Sequence, residues 1–314
     1  MADHLLDRAK AGDAHAFREL TDPHRRELLV HCYRMLGSYQ DAEDALQDTL
    51  LNAWQGIGGF EGRSSVRTWL YRIATNRCLN LRRAGDRRPA QEWNVPGVTP
   101  PEPSRLGEVV WLQPFPDDPS MHVERSESLS LAFVTALQLL PPRQVAVLVL
   151  RDVLGFSAAE VADMLDTTLD SVHSALKRAR SRLPAPEPVE TPSDALVDQF
   201  VRAYEAGDVD AVVALLTDDV FISMPPMPFE YQGREPAAGF CRSIFGSGRR
   251  FELVPTTANG QLAFGTYLRG ADGTGHGVGL LVLTVREGRV SAMTRFEGAV
   301  LAWFGLPRTR PGQG

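Results

Sequence analysis

Arginines are concentrated in one part of the chain, together with aromatic side chains. Eight arginines and a single acid, Asp86, lie between Arg63 and Arg88. The aromatic residues in and beside this segment are Phe60, Trp69 and Tyr71. Guanidinium groups that neutralise phosphates, and rings on which bases stack, are what binding of single-stranded nucleic acid requires. A core tryptophan and tyrosine within a solvated basic face would give the same pattern, and these residues alone leave both interpretations open.

A second cationic segment closes the stretch 126–183. Ser157 and Glu160 have the spacing of a capping box at the start of a helix. After a short turn, Thr168 is expected to cap a last helix, because its hydroxyl can accept from an early backbone N–H. The residues facing out from that helix are Ser171, His173, Ser174, Lys177, Arg178, Arg180 and Arg182. This pattern predicts a helix-turn-helix that reads base edges from its second helix, with an ordinary helical hairpin as the alternative.

Residues suited to acid–base catalysis or metal binding are few. The C-terminal part offers Asp272, His276 and Glu297, but Asp272 precedes a glycine, as in a hairpin turn, and Glu297 lies near a predicted strand end. His31-Cys32 supplies at most half of a metal site. The three cysteines are widely spaced, which is typical of a reducing compartment. We therefore expect no catalytic residue, no metal and no cofactor.

The net charge of -6 hides a local difference. Residues 1–88 carry 14 basic and 12 acidic side chains, a net +2, whereas residues 89–125 carry 2 and 6, a net -4. An acidic total alone argues against a nucleic-acid binder, but the positive charge is local. No apolar run reaches about 18 residues and the N-terminus lacks the apolar core of a signal peptide. We expect a cytoplasmic protein without membrane contact.

Two proline-rich stretches divide the chain. Residues 84–125 contain eight prolines, which predicts an extended linker, and its apolar patch (Val109 to Leu112, then Phe115) predicts that the linker docks on something. The second stretch, residues 184–192, is predicted to be a short, stiff spacer. The predicted segments are 1–88, a linker 89–125, 126–183, a spacer 184–192, 193–307 and a tail 308–314.

Apolar periodicity predicts helices in the first two segments. One stripe covers 41–54, and another begins near Ser64-Ser65. In the second stripe, Arg77 falls among the apolar positions of the helix, which an exposed cation should avoid. We therefore expect this helix to break near Thr75-Asn76 and a further basic helix to run from Arg77 to Arg83. Leu129 to Leu140 and Arg143 to Val153 are expected to form two more helices.

The third segment changes character. Helices are expected over 195–204 and 210–219, and after Val220 the pattern is rich in aromatic and β-branched residues. Helices followed by a run of strands predict an α+β domain with a curved antiparallel sheet. An apolar set in this domain could line a cavity or simply form the core: Met224, Met227, Phe229, Phe240, Phe245 and Phe264.

The motifs resemble those of a known family. Residues 41–54 (DAEDALQDTLLNAW) look like the polymerase-binding helix of bacterial sigma factors, and residues 60–76 (FEGRSSVRTWLYRIATN) resemble the −10-reading part of the extracytoplasmic-function (ECF) group. Leu139-Leu-Pro-Pro-Arg-Gln, with GFSAAEVA from Gly155, resembles region 4, which reads the −35 element. The third segment resembles a SnoaL-like (NTF2-like) half-barrel. The resemblance implies an all-α region 2 and an all-α helix-turn-helix region 4, followed by an α+β SnoaL-like domain.

The resemblance also implies roles for individual residues. The polymerase contact would involve Asp41, Asp44, Gln47, Asp48 and Trp54. Asn76 would hold a flipped-out base of the −10 element, beside Trp69. Phosphates would be bound by Arg63, Arg67, Arg77, Arg82 and Arg83. The start of the last helix is Ser171-Val-His-Ser-Ala175 where the family usually has Thr-Val-Lys-Ser-Arg, so two cations are missing and −35 binding should depend less steeply on salt. His173 either reads a base edge or is an exposed polar residue without a role.

Three functions compete at this stage. The leading hypothesis is a transcription initiation factor that binds core RNA polymerase and promoter DNA and performs no covalent chemistry. A ligand-responsive repressor or activator would leave the segments 41–54 and 60–88 without a role. In a third hypothesis, the C-terminal domain is an isomerase, cyclase or hydrolase. We expect instead a non-catalytic regulator that contacts the linker or the sigma regions, with a small apolar ligand as a possible addition.

Overall fold

The chain divides into a helical unit and a sheet unit. The helical unit comprises residues 1–88 and 134–185, and the sheet unit comprises 89–133 and 186–314. The computed structural model describes residues 2–85, 90–95, 97–108, 111–117, 127–183, 190–246 and 248–311. Val109 and Val110 of the predicted apolar patch, most of the spacer and the end of the tail lie outside these residues. Within the described ranges, no helix is both long and apolar enough to cross a membrane.

Five helices form the first part of the helical unit. They are α1 (Ala2–Lys10), α2 (Ala14–Thr21), α3 (Arg25–Leu36), α4 (Tyr39–Gly56) and α5 (Val66–Gly85). Side-chain oxygens of Asp13 and Ser38 cap α2 and α4, and Gly37 ends α3 in the left-handed conformation at φ 69°. Helix α3 is buried from Leu28 to Met35, so it is the central helix against which α4 and α5 pack.

The predicted break near Thr75-Asn76 is wrong, because α5 continues through it. The prediction assumed that a cation cannot lie within the apolar arc. Arg77 does so by pairing with Asp48 of α4 at 2.6 Å while remaining 36% exposed. Thr75 is accommodated because its hydroxyl donates to the Tyr71 carbonyl one turn earlier, at 2.7 Å.

The helix-turn-helix is confirmed in the second part of the helical unit. Its elements are α6 (Leu131–Gln138), α7 (Pro142–Leu148), a π-helical turn (Val149–Val153), α8 (Ala158–Met164) and α9 (Leu169–Arg180). Both bonds of the Ser157–Glu160 capping box are present, and Thr168 caps α9. The two helices expected before it are shorter than predicted: α6 ends at Gln138, and the ordinary helix α7 ends at Leu148, where the π-helical turn takes over. Asp166 makes the turn between α8 and α9 with φ 47°.

The sheet unit contains α10 (Asp194–Ala206), α11 (Val209–Ala214), α12 (Arg234–Gly246) and, among its described residues, an eight-stranded sheet. The strands are β1 (Arg105–Leu106), β2 (Leu216–Met224), β3 (Met227–Gln232), β4 (Phe251–Ala258), β5 (Gln261–Arg269), β6 (Gly275–Arg286), β7 (Arg289–Glu297) and β8 (Thr309–Arg310). The order is β1-β3-β2-β7-β6-β5-β4, with β8 paired to β6. The pair β2–β7 is parallel and the other pairs are antiparallel.

The sequence predicted this α+β class correctly but misplaced some elements. The helix expected over 210–219 ends at Ala214, because the β-forming run of β2 begins at Leu216. Helix α12 was missed, since its glycines and proline resemble a loop; Pro236 lies in the first turn, where no helical hydrogen bond is lost. The predicted hairpin turn at Asp272-Gly273 is confirmed, with Gly273 at φ 80°.

Much of the proline-rich linker is part of the sheet unit. The short strand β1 pairs with β3, and the N–H groups of Gln91 and Gly107 donate to the carbonyls of Pro226 and Pro228. Val95 and Val98 are buried in the same apolar core as α10, α12 and the strands. Further along, the Phe115 N–H donates to the side chain of Asn259 at 2.8 Å. These contacts bind the linker to the sheet by backbone hydrogen bonds and by apolar burial.

Candidate nucleic-acid interface

A cleft of about 470 Å³ lies between α4 and α5. It is lined by Asn52, Trp69, Arg72, Ile73, Asn76, Arg77 and Asn80. The α5 members recur every three or four residues, so they share one face of the helix. Amides, guanidinium groups and an indole ring supply the hydrogen bonds and the stacking surface that an unpaired base needs. Trp69, Asn76 and Arg77 of the sequence prediction come together here, whereas Asn52, Arg72 and Asn80 were missed because no motif singled them out.

Trp69 combines the two roles that the sequence left open. Its ring packs on Phe60 with centroids 4.9 Å apart, and Phe60 is buried. The indole nevertheless lines the cleft and is only half-buried. The start of α5 is therefore packed on the buried Phe60 through Trp69, which also lines the cleft.

The predicted phosphate-binding arginines differ in their present partners. Arg63 pairs with Glu61 at 2.9 Å and is 86% exposed, and Arg83 is also exposed. Arg67 pairs with Glu27 at 3.1 Å and lies over the ring of Tyr71 at 4.8 Å. Arg77 and Arg82 are engaged as well, Arg77 by Asp48 and Arg82 by backbone carbonyls. Arg63 and Arg83 are thus presented to solvent, while the other three cations must exchange partners to meet DNA.

The predicted polymerase residues divide into an exposed stripe and supporting residues. Asp44 and Gln47 are exposed on α4, and Leu51, one turn further, is 53% exposed. Asp41 is half-buried in the first turn of α4. Trp54 is half-buried against Phe17, with ring centroids 5.1 Å apart. Leu51 was missed by the sequence prediction, although an apolar residue at helical spacing from two exposed polar residues was a usable signal.

Helix α9 presents its predicted DNA-facing side chains to solvent. His173, Ser174, Lys177 and Arg178 are exposed, and they lie in two i,i+4 pairs on neighbouring faces. The Ser171 hydroxyl accepts from Thr168 at 2.9 Å, as part of the helix cap. Arg180 is held by both oxygens of Asp152, at 2.7 and 2.8 Å, and this hydrogen-bonded carboxylate raises the pKa of Arg180. Leu169 and Asp170, both exposed at the start of the helix, were not among the predicted contacts.

The apolar set in the sheet unit is mostly core. Met224, Met227 and Phe264 are at most 3% exposed and pack in the central apolar cluster. Phe240 and Phe245 line a cavity of about 20 Å³, enough space for about one water molecule. The other lining residues are Tyr204, Ile222, Cys241, Ile244, Leu281, Met293 and Arg295. Burial lowers the pKa of Arg295 and raises those of Tyr204 and Cys241, the last to about 12.

The three candidate catalytic residues of the sheet unit do not line this cavity. Asp272 accepts hydrogen bonds from the backbone and hydroxyl of Thr274 in its turn, which lowers the pKa of the carboxyl group. His276 is exposed on β6. Glu297, at the end of β7, accepts from Asn94 at 2.5 Å. Across the described part of the chain, no group of three or more histidine, cysteine or acidic side chains is placed to hold a metal ion.

Comparison with known protein families matches all three parts of the chain. The family Sigma-70 region 2 matches residues 20–88, Sigma-70, region 4 matches 130–183, and the SnoaL-like domain matches 197–293. The first two coincide with the cleft-bearing helices and the helix-turn-helix, and the third with the sheet unit. This combination defines a sigma-70-type factor that carries a SnoaL-like domain.

Individual relatives narrow the class. The ECF RNA polymerase sigma factor SigG of Mycobacterium tuberculosis is 42% identical over 319 residues, which cover 93% of this chain and 84% of that protein. SigJ of the same organism is 28% identical over 86% of this chain and 88% of its own length. The chain belongs to the ECF RNA polymerase sigma factors, and it is a promoter-directing factor of that family. The resemblance inferred from the motifs is therefore confirmed.

A solved structure matches the fold along most of the chain. The crystal structure of the Mycobacterium tuberculosis ECF sigma factor SigJ has a TM-score of 0.64 and covers 90% of this chain and 97% of its own. Its sequence identity is 22%, so this likeness concerns the fold. It supports the helical sigma regions followed by a strand-rich SnoaL-like domain.

Proposed function

We propose that this factor binds core RNA polymerase in the cytoplasm, reads the −10 element with the α4–α5 cleft and the −35 element with α9, and is modulated by its sheet unit. The observation that carries the proposal is the cleft itself, where three amides, two guanidinium groups and an indole of α4 and α5 converge. Of these, Asn76 is the residue that the family motif aligns with a flipped-out base.

The −35 contact is proposed for the exposed face of α9. The N-terminal residues of a recognition helix reach base edges, and the cations that follow meet phosphates. Ser171, His173 and Ser174 occupy the first positions, and Lys177, Arg178 and Arg180 the second. Arg180 is paired with Asp152, so we expect it to contribute less to DNA binding than Lys177 and Arg178, which form no salt bridge with the residues that the structure describes.

The polymerase contact is proposed for the exposed stripe of α4 formed by Asp44, Gln47 and Leu51. Asp44 and Gln47 precede Leu51 by about two turns and one turn of the helix, and Leu51 is 53% exposed. An exposed apolar residue surrounded by polar ones is typical of a protein–protein contact. Supporting roles are proposed for three other residues of α4. Asp41 precedes the stripe, Trp54 follows it, and Asp48 lies next to Gln47.

A regulatory, non-catalytic role is proposed for the sheet unit. Its support is the linker, which contributes β1 to the sheet and buries Val95 and Val98 in the core. A domain that holds the segment joining two DNA-binding regions can control how far those regions separate. The cavity of about 20 Å³ leaves the space for a ligand small, and the three polar candidates for catalysis lie outside it.

Two experiments test the proposal. In a run-off assay with core polymerase, the protein should yield a transcript that core alone does not give; no transcript from any native promoter would contradict it.

For the sheet unit, Val98→Asp should release the linker and change transcription, with a matching rise in protease cleavage between 90 and 108. Leu106→Asp is the control, because that linker residue is 64% exposed and its substitution should change neither. Released linker with unchanged transcription would contradict the regulatory role.

A further inference from the structure

The C-terminal end of α8 and the turn that follows it, residues 163–166 and here called the α8–α9 turn, lie against the cleft face of α5 within the helical unit. Arg72 Nη2 is 2.9 Å from Asp166 Oδ1, and Arg72 Nη1 is 3.6 Å from Asp163 Oδ2. Asn76 Nδ2 donates to the Met164 carbonyl at 3.4 Å. Two carboxylates and one carbonyl thus occupy side chains that line the cleft assigned to the −10 element.

This turn has the hydrogen-bonding chemistry of a nucleic-acid strand. A carboxylate offers a guanidinium the same pair of charged acceptor oxygens as a phosphate, and a backbone carbonyl offers an amide the same acceptor as a base carbonyl. We propose that the α8–α9 turn is an internal mimic of the −10 strand, which keeps the −10 cleft occupied in the free protein until promoter DNA displaces it. The proposal rests on the proposed function in one respect, the use of this cleft for −10 DNA.

A second contact lies further along α5. Arg82 donates to the carbonyls of Gln138 and Leu140, at 3.3 and 3.1 Å, and to that of Met35 at 3.2 Å. These carbonyls are at or just beyond the C-terminal ends of α6 and α3, where backbone acceptors are left without helical partners and carry partial negative charge. Another arginine predicted to bind phosphate is therefore satisfied from within the helical unit.

An aromatic contact lies before the turn. Phe156, just ahead of α8, packs its ring against Tyr71 with centroids 5.3 Å apart, and the Arg67 guanidinium lies 5.0 Å from the Phe156 ring. Phe156 is 6% exposed. Residues 134–183 thus engage α5 at four places along its length, and a base or phosphate cannot occupy those side chains at the same time.

The polar part of this contact is built to be reversible. Arg72 is 40% exposed, and Asp163 and Asp166 are 75% and 78% exposed. Ion pairs so open to solvent stabilise weakly and are screened by salt. A polyanion that reaches the cleft can therefore compete with the two carboxylates, as an internal mimic requires.

The test uses the full-length chain with donor and acceptor dyes on Gln55→Cys and Ala159→Cys, both exposed, since the native cysteines are buried. In closed molecules the α8–α9 turn lies on α5, and in open molecules it has separated from α5. Neutralising the mimic in D163N/D166N should raise the ratio of open to closed molecules roughly 2- to 30-fold, the range for two exposed ion pairs. Asparagine tolerates the left-handed backbone at position 166, so the turn should fold. D7N/D22N removes two exposed carboxylates elsewhere in the helical unit and should leave the ratio unchanged.

Two further arms separate the mimic from a general loss of stability. R72E should open the protein by repelling the turn. R72E/D163K/D166N should close it again, because it restores an opposite pair and removes the carboxylate of Asp166, which lies nearest to position 72. Oligothymidylate should open the wild type, and open D163N/D166N at lower concentration. An unchanged distance in D163N/D166N and in R72E, or opening without closure in R72E/D163K/D166N, would overturn the proposal. The distances between the dyes are measured without polymerase. A failure of this proposal can therefore be distinguished from a failure of the proposed function, which the run-off assay tests.

Discussion

Arg77 of α5 and Asp48 of α4 form an ion pair of 2.6 Å at the wall of the cleft. The family resemblance implies different partners for them, promoter phosphate for Arg77 and polymerase for Asp48. Because the two side chains neutralise each other in the free protein, a polymerase contact that engages Asp48 also releases Arg77. The surfaces proposed for the −10 element and for polymerase are therefore linked through one charge pair.

The first prediction concerns this pair. Asp48→Asn should leave Arg77 free to bind a phosphate, so the protein without polymerase should bind a single-stranded oligonucleotide carrying the −10 element with a steeper salt dependence. The slope of log K against log salt should become more negative by up to about 0.7, the value for one phosphate on single-stranded DNA. Asp44→Asn is the matched control, since Asp44 is an exposed acid on the same helix. Equal slopes for wild type and both variants would contradict the neutralisation of Arg77 by Asp48 in the free protein.

The second prediction concerns Leu51. Leu51→Glu replaces the apolar residue of the exposed stripe of α4 with a charge and should weaken binding to core polymerase by about 1–2 kcal/mol, roughly 5- to 30-fold. Titration of labelled core polymerase measures the change. Leu139→Glu is the control, because Leu139 is similarly exposed at 55%, outside the stripe. A loss of affinity in Leu139→Glu as large as in Leu51→Glu would remove the special role of the stripe.

The third prediction concerns the stability of the helical unit against acid. His31 is fully buried, and its Nε2 lies 2.9 Å from Thr75 Oγ1. The Thr75 hydroxyl donates to the Tyr71 carbonyl, so His31 Nε2 is the donor to Thr75. Burial first, and then the nearby Arg34 and Arg67 cations, lower the pKa of His31 to about 3.

The direction of the pH effect follows from that pKa. Between pH 6.5 and about 3, the unfolded chain binds a proton at His31 and the folded chain does not, so stability falls as pH falls. The contribution is at most about 1.4 kcal/mol per pH unit. Chemical denaturation of His31→Gln should show a flatter pH dependence in this range, with His15→Gln as the control for removing an exposed histidine. The same slope in His31→Gln and wild type would contradict the assignment.

Local signals in the sequence predicted most of the helical architecture. Ser157, Glu160 and Thr168 act through neighbours within a few residues, so their caps could be inferred from spacing alone. Arg77 could not be placed in this way. Its position depends on Asp48 of another helix.

The same distinction applies to the cleft and to the sheet. Asn76 was predicted through a motif, but Asn52 joins it only because α4 and α5 pack side by side. The parallel pairing of β2 with β7 and the addition of β1 from the linker join residues more than 60 positions apart. Pairings over such distances leave no periodic signal in the chain.

Run-off transcription with two variants tests the central claim, that two separate surfaces read two promoter elements. Core polymerase with wild-type protein, Asn76→Ala or His173→Ala is presented with a promoter and its single-base variants at −10 and −35. Asn76→Ala should lower discrimination at one −10 base by about 1–3 kcal/mol and leave −35 preferences unchanged, and His173→Ala should do the reverse. If both variants keep the wild-type preferences at both elements, or lose them at both alike, the account is contradicted.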